Sequence, residues 1–142
     1  MKRSRVWVFV GLVMASLMLS GCSEPVEAPA EAAIHIEELE SGLSSLTLSA
    51  KAAERLGVQT AEVEDRGAQK VVPYGSVIYD AQGATWAYVA TAQLSFERAS
   101  IAVESITGDD AILTDGPPAG TPVVIVGAAE LYGAETGVGG GH

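Results

Sequence analysis

From Val58 onward, apolar and polar residues alternate in short runs that are separated by glycine, proline and aspartate turns. The clearest alternations are VQTAEV at 58–63 and WAYVAT at 86–91, and the apolar run VVIV at 123–126 is typical of a central strand. Short strands that recur at intervals of about 8 to 12 residues predict a small β-barrel or β-sandwich. The pattern does not fix the order of the strands within a sheet.

One short helix is predicted in this mainly β domain. Ser49 is a favourable N-cap for the segment AKAAERL, and Gly57 can adopt the left-handed conformation that ends a helix. The rest of the domain is predicted to be β. We therefore expect one folded domain over residues 43–135, followed by a flexible glycine-rich tail at 136–142.

A different pattern opens the chain. The basic residues of MKRSR precede a run of fourteen uncharged residues at 6–19, which is too short to cross a bilayer as a helix but matches a secretory signal peptide. The residues LSGC at 19–22 resemble the lipobox of bacterial lipoproteins, in which the cysteine thiol receives a diacylglyceryl group and a peptidase cleaves just before it. We therefore expect a signal peptide at 1–21 and lipidation of Cys22. The alternative is an ordinary signal peptide, cut nearby, that leaves a free cysteine.

Lipidation of Cys22 would anchor the protein to a cell membrane on its extracytoplasmic side, since acyl chains hold a protein on a bilayer through their buried methylene groups. The segment 22–42 combines proline, alanine and glutamate with few bulky apolar residues. We predict a flexible acidic tether here, because such a composition disfavours packing and like charges favour extension. The stretch AAIHIEELES at 32–41 could instead form a short helix, since Glu and Leu favour helices.

The charge of the mature chain excludes one class of partner. Removal of the signal peptide would leave five of the eight basic residues and all eighteen acidic ones. Such a chain repels phosphate backbones, so we exclude nucleic acid as a partner. Charge favours a basic partner surface instead, or the acidic residues simply keep an exported protein soluble.

Candidate catalytic and metal-binding residues are few. Histidine occurs only at His35 and His142, in segments predicted to be mobile, where neither can be held as a general base. The acidic pairs Glu37-Glu38 and Asp109-Asp110 lie in the tether and in a predicted turn, and we interpret them as solvated rather than catalytic or calcium-binding. The three methionines all lie in the predicted signal peptide, which leaves no thioether for a soft metal. We therefore assign no catalytic, metal or cofactor site and expect that the protein is not an enzyme.

Three aromatic residues on the predicted strands are candidates for the core or for a ligand-stacking surface: Trp86, Tyr88 and Phe96. Their spacing favours a core face, where cross-strand aromatic pairs are common. Arg98 follows on the same face as Phe96. It could point outward or form a salt bridge with Glu62 or Glu97.

Four segments carry motifs whose order resembles that of one known family: LTLSAKAAERLGVQTAEVE (46–64), VVPYGSVIYD (71–80), WAYVATAQLSFERASIAVESI (86–106) and ILTDGPPAGTPVVIVGAAELYGAE (112–135). The residues that match the motifs are Gly57, Val58 and Thr60; Val72, Pro73 and Val77; Tyr88 and Val89; Phe96, Arg98, Ile101 and Val103; and Gly116, Gly120, Val123, Val124 and Gly127. Together they resemble the membrane-proximal portion of HlyD-type periplasmic adaptor subunits, also called membrane fusion proteins, of RND efflux systems.

The resemblance implies a docking role on a transporter and excludes the bridging role of full-length adaptors. Full-length adaptors insert lipoyl-like half-motifs, a helical hairpin and a barrel domain after the first segment, whereas only residues 66–71 lie there in this chain. The role that carries over is docking on the external face of an inner-membrane RND or ABC transporter, without a bridge to an outer-membrane channel. We therefore expect an adaptor-like, non-catalytic accessory lipoprotein of a transport system. The alternatives are a free-standing ligand-binding lipoprotein and a structural envelope lipoprotein.

Overall fold

The computed structural model describes residues 33–137. The predicted signal peptide, Cys22 and the first part of the predicted tether lie outside these residues, as do residues 138–142 of the predicted tail. No helix within 33–137 has the length and the apolar character needed to cross a membrane.

The described residues are mainly β, as the alternating pattern predicted. In chain order the elements are β1 (Ile34–Glu38), β2 (Ser44–Leu48), α1 (Ala50–Leu56), β3 (Gln59–Glu62), β4 (Glu64–Arg66), β5 (Gln69–Pro73), a 3₁₀ turn (Tyr74–Ser76), β6 (Ile78–Tyr79), β7 (Thr85–Ala92), β8 (Ser95–Ser100), β9 (Ala102–Thr107), β10 (Asp110–Asp115), β11 (Pro122–Val126) and α2 (Ala128–Thr136). The predicted fold class is therefore confirmed.

The strands form two antiparallel sheets. The larger sheet has the order β1-β2-β8-β7-β11-β3, with β6 also paired to β7, and the smaller sheet has the order β4-β5-β10-β9. Of the two architectures that the sequence left open, the structure has the sandwich-like one, because the strands of residues 33–137 make two open sheets rather than a closed barrel.

Two chain segments join the sheets at their corners. β3 continues into β4 past Val63, and β8 continues into β9 past Ile101, so each segment leaves the larger sheet and enters the smaller one. Both corner residues are buried. They contribute to a core between the sheets, whose other buried members are Val72, Val77, Ala87, Ala111, Leu113 and Val123. Strands that bend from one sheet into another commonly form such corners.

A second core lies on the other face of the larger sheet, under the two helices. Its buried residues are Leu46, Leu48, Ala52, Ile78, Tyr88, Phe96, Val124, Ala128 and Leu131. The burial of Tyr88 and Phe96 confirms the core prediction for these two aromatic residues, while Trp86 is partly buried against the same cluster. Helix α1 is also confirmed: the Ser49 Oγ accepts a hydrogen bond from the Ala52 N–H at 3.2 Å, and Gly57 has a φ of 62°.

The structure corrects the predicted boundary between tether and domain. Residues Ile34–Glu38 form β1, which pairs with β2, where a flexible coil or a short helix was predicted. Ile34 packs against the helix-side core. The alternation of isoleucine with polar residues gives this segment one apolar strand face, which the glutamate-rich composition obscured.

Helix α2 is the second correction, because only one helix was predicted and its last residue, Thr136, was assigned to the tail. The helix buries only Ala128 and Leu131. So small an apolar face gives little helical periodicity in the sequence. Gly127 and Gly137 flank the helix, with φ angles of 91° and 73°.

Candidate functional site

The most elaborate arrangement of side chains lies beneath α2, on the helix-side face of the larger sheet. Tyr88 and Arg98 are cross-strand partners on β7 and β8, and Trp86 precedes Tyr88 by two residues on the same face. Helix α2 adds Tyr132 and Glu135 from above. We call these five residues the Arg98 cluster.

The centre of the Arg98 cluster is a buried ion pair. The Arg98 Nε lies 3.0 Å from Oε1 and 2.8 Å from Oε2 of Glu135. The Tyr88 hydroxyl donates to Oε2 at 2.5 Å. The side chains of Arg98 and Glu135 are only 16% and 4% exposed. A buried carboxylate is costly without partners, and here two donors compensate it.

Aromatic rings enclose the Arg98 guanidinium. Its central carbon lies 4.8 Å from the centroid of the Trp86 ring and 5.7 Å from that of Tyr132. A planar guanidinium is attracted to the face of an aromatic ring, most strongly to tryptophan. The two rings therefore hold the Arg98 guanidinium between the larger sheet and α2.

The Tyr88 hydroxyl stays protonated and donates its hydrogen bond to Glu135. Burial, and then its hydrogen bond to Glu135, raise the pKa of the Tyr88 phenol above its ordinary value of 10.0. The hydroxyl therefore keeps its proton under physiological conditions. No buried side-chain nitrogen or oxygen in residues 33–137 lacks a hydrogen-bond partner, and this includes the buried polar atoms of the Arg98 cluster. Its chemistry is that of a clamp that holds α2 on the sheet.

The partner of Arg98 differs from the sequence prediction. Arg98 neither points outward nor binds Glu62 or Glu97, because its guanidinium lies against Glu135 instead. Sequence reasoning missed Glu135 because it lies 37 positions away in a helix that was not predicted. The alternation along β8 placed Arg98 on the same face as the buried Phe96, and this spacing could have indicated that Arg98 is buried too.

Trp86 also orders the turn between β6 and β7. Its indole N–H donates to Asp80 Oδ2 at 3.0 Å, while Asp80 Oδ1 accepts the backbone N–H groups of Gln82 and Ala84 at 2.9 and 2.8 Å. The hydrogen bond from Trp86 is the main cause that lowers the pKa of Asp80 below its ordinary value of 3.8; the backbone N–H groups add to it, and desolvation opposes it.

Replacement of Asp80 by asparagine should reduce the acid sensitivity of the fold. Because the folded pKa of Asp80 is lowered, the charged carboxylate stabilises the fold above the ordinary pKa of 3.8. This contribution is lost as the pH falls through the lowered folded pKa. Urea titrations between about pH 5 and about pH 2 should therefore show a smaller loss of unfolding free energy for Asp80→Asn than for the wild type. Trp86→Phe, which removes the main donor, should shift the profile in the same direction; an unchanged slope in both variants would contradict the assignment.

An exposed pair of tyrosines marks a second region of interest, on the 3₁₀ turn and on β6. Tyr74 and Tyr79 are among the large hydrophobic residues that remain exposed. Desolvation, and then the neighbouring Tyr74, raise the pKa of the Tyr79 phenol above its ordinary value of 10.0. The Tyr74 backbone N–H donates to the carbonyl of Asp109 at 2.7 Å, so an exposed aspartate borders the pair. We call Tyr74 and Tyr79 the tyrosine pair.

The remaining candidates from the sequence do not converge. Cys22 and His142 lie outside the described residues, and His35 is exposed in β1, as are Glu37 and Glu38. Within residues 33–137 no group of three or more His, Cys, Asp and Glu side chains is placed to hold a metal ion.

The predicted turn at Asp109-Asp110 is present, and it separates the two carboxylates. Asp109 lies in the turn and is exposed, while Asp110 begins β10 and accepts a hydrogen bond from Arg66 at 2.5 Å. The pair therefore does not act as one acidic group.

The described domain is strongly acidic, because residues 33–137 contain fifteen Asp and Glu residues and only five Lys and Arg residues. Arg98 lies in its cluster, Arg66 binds two carboxylates, and Lys70 donates to a backbone carbonyl. The other two cations of residues 33–137, Lys51 and Arg55, are exposed on α1.

Comparisons of the chain with protein-family models, with curated proteins and with solved structures found no match.

Proposed function

We propose that this protein is a lipid-anchored, non-catalytic accessory component of a membrane transport system, whose β domain contacts the extracytoplasmic face of an RND or ABC transporter. The observation that carries the proposal is the short distance along the chain between Cys22 and β1. Eleven residues, 23–33, separate the predicted lipidation site from the first strand. Fully extended, they span at most about 40 Å.

The position of β1 shortens the tether that the sequence predicted. With a tether that ended at residue 42, the domain could stand about 65 to 70 Å away from Cys22. With β1 in the sheet, the domain stays within a thin layer next to the bilayer. A partner embedded in the same membrane then meets the domain at a high effective concentration, so a weak contact suffices.

The tyrosine pair supplies the contact surface in this proposal. Tyrosine is enriched at protein interfaces because its ring buries apolar area while its hydroxyl finds a polar partner. Asp109 borders the pair, and the domain around it is acidic. The complementary surface on the transporter is therefore an extracytoplasmic loop that carries lysine or arginine next to an apolar patch.

The anchor is tested by Cys22→Ser in the full-length protein expressed in its own membranes. The wild-type protein is expected in the membrane fraction with a mass increase that corresponds to lipidation and with residues 1–21 removed, whereas Cys22→Ser should show neither change. An unmodified Cys22 in the wild type would contradict the anchor.

The docking is tested by a photoactivatable crosslinking residue placed at position 79, with position 106 as the control, because Ile106 is comparably exposed but lies outside the tyrosine pair. Crosslinking at position 79 should yield an adduct with a polytopic transporter, identified by mass spectrometry, at least tenfold more than at position 106. Adducts with lipid alone at position 79 would contradict the proposed function.

A further inference from the structure

Strand β1 ends the larger sheet and leaves one side of its backbone open. It pairs with β2 on one side, and within residues 33–137 no strand pairs with its other side. The Ser49 N–H donates to the Ala33 carbonyl at 3.0 Å, and the Leu39 N–H donates to the Leu43 carbonyl at 2.7 Å. Odd-numbered residues of this segment therefore direct their backbone groups toward β2.

The even-numbered residues of β1 direct their backbone groups outward, since these groups alternate along a strand. Ile34, Ile36 and Glu38 thus present three N–H groups and three carbonyls along a free edge. An open edge of this kind is a template for another strand. The middle of this edge is also apolar, because Ile36 lies there and is 42% exposed. Its cross-strand neighbour on β2, Leu46, is fully buried.

The sequence of β1 is complementary to itself in one antiparallel register. A two-fold axis through Ile36 places Ile36 opposite Ile36, and Ile34 opposite Glu38. In this register all the outward-directed backbone groups face each other, which allows about six main-chain hydrogen bonds. The remaining pair is His35 opposite Glu37, at the positions where the side chains of an antiparallel pair come closest.

Two other registers are less favourable. An axis through Glu37 also keeps the outward groups in register, but it places two glutamates against each other at positions where the side chains come closest. An axis through Glu38 keeps the outward groups in register but again opposes like charges. Like charges directly opposite each other destabilise a strand pair. Of these three registers, charge therefore favours the one centred on Ile36.

We propose that β1 pairs with β1 of a second copy of this chain about the axis through Ile36, which joins two larger sheets into one continuous sheet. The two Ile36 side chains then bury each other on the helix-side face. His35 of each copy lies beside Glu37 of the other on the opposite face. The proposal depends on β1 alone and holds whether or not a transporter binds the tyrosine pair.

The pairing is tested with Ile36→Cys in the full-length protein in its native membranes, treated with a short bifunctional thiol reagent. The matched control is Ile106→Cys, because Ile106 is also 42% exposed and also lies on an edge strand. Ile36→Cys should give an adduct with twice the mass of the chain, at least tenfold more than Ile106→Cys or the wild type, which carry the same Cys22. The absence of this adduct, or an adduct with a different protein in its place, would overturn the proposal.

Charge reversal tests the register independently of the cysteine chemistry. Added to Ile36→Cys, His35→Glu places a glutamate opposite Glu37 in both copies and should reduce the adduct at least tenfold. The further change Glu37→Lys restores opposite charges and should recover the adduct. An adduct that His35→Glu leaves unchanged would overturn the register. A dimer without any transporter adduct at position 79 would leave this proposal standing and contradict only the proposed function.

Discussion

Replacement of Arg98 by methionine should lower the free energy of unfolding by about 3 to 5 kcal/mol, the usual cost of removing one partner from a buried ion pair. The variant leaves the Glu135 carboxylate 4% exposed, with the Tyr88 hydroxyl as its remaining side-chain donor. It also removes the cation between Trp86 and Tyr132. For a domain of this size, whose total stability is about 5 to 15 kcal/mol, the loss is a large fraction.

Urea denaturation followed by circular dichroism measures this loss, with Arg66→Met as the matched control. Arg66 also contacts two carboxylates, but its side chain is 52% exposed, so its removal should cost much less than the removal of Arg98. The double variant Arg98→Met/Glu135→Gln should lose less than the sum of the two single losses, because the uncompensated charge is gone. Equal losses for Arg98→Met and Arg66→Met would show that the Arg98 cluster is no clamp.

Replacement of Leu131 by alanine should cost about 2 to 5 kcal/mol. Leu131 is fully buried in the helix-side core, and it is the only large aliphatic side chain that α2 contributes there. Its truncation leaves a cavity in the helix-side core that the short helix cannot fill by moving, because Glu135 holds its last turn to Arg98.

The matched control for Leu131→Ala is Glu130→Ala, a neighbouring position on the exposed side of the same helix. Substitutions at such exposed sites usually change stability by no more than about 0.5 kcal/mol. The two variants are compared by the midpoint of urea unfolding, provided that the slope of the unfolding free energy against urea concentration is the same in both. A loss below about 1 kcal/mol for Leu131→Ala would show that α2 contributes little to the packing of the sheet.

The sequence predicted the features that short-range patterns specify. Ser49 and Gly57 marked the ends of α1 because a cap depends on a few neighbouring residues. The alternation in β7 and β8 placed Tyr88 and Phe96 in the core for a similarly local reason. These predictions needed no knowledge of which strands pair.

The features that sequence reasoning missed depend on contacts between distant residues. β1 is a strand because β2 offers it an edge, and its own residues also suit a coil. Arg98 has a buried partner because α2 folds back over β8, which no pattern near Arg98 or Glu135 indicates. The strand order was equally undetermined, since it follows from tertiary packing. Tertiary contacts override weak local propensity in each of these places.

The passage of the chain through Val63 and Ile101 has a consequence for how the domain opens. Each of these residues belongs to a continuous stretch of backbone whose halves are hydrogen-bonded into different sheets, so neither sheet can separate without pulling on the other. Amide protons on both sides of each corner should therefore exchange with solvent at one shared, slow rate, as expected for a single cooperative unit.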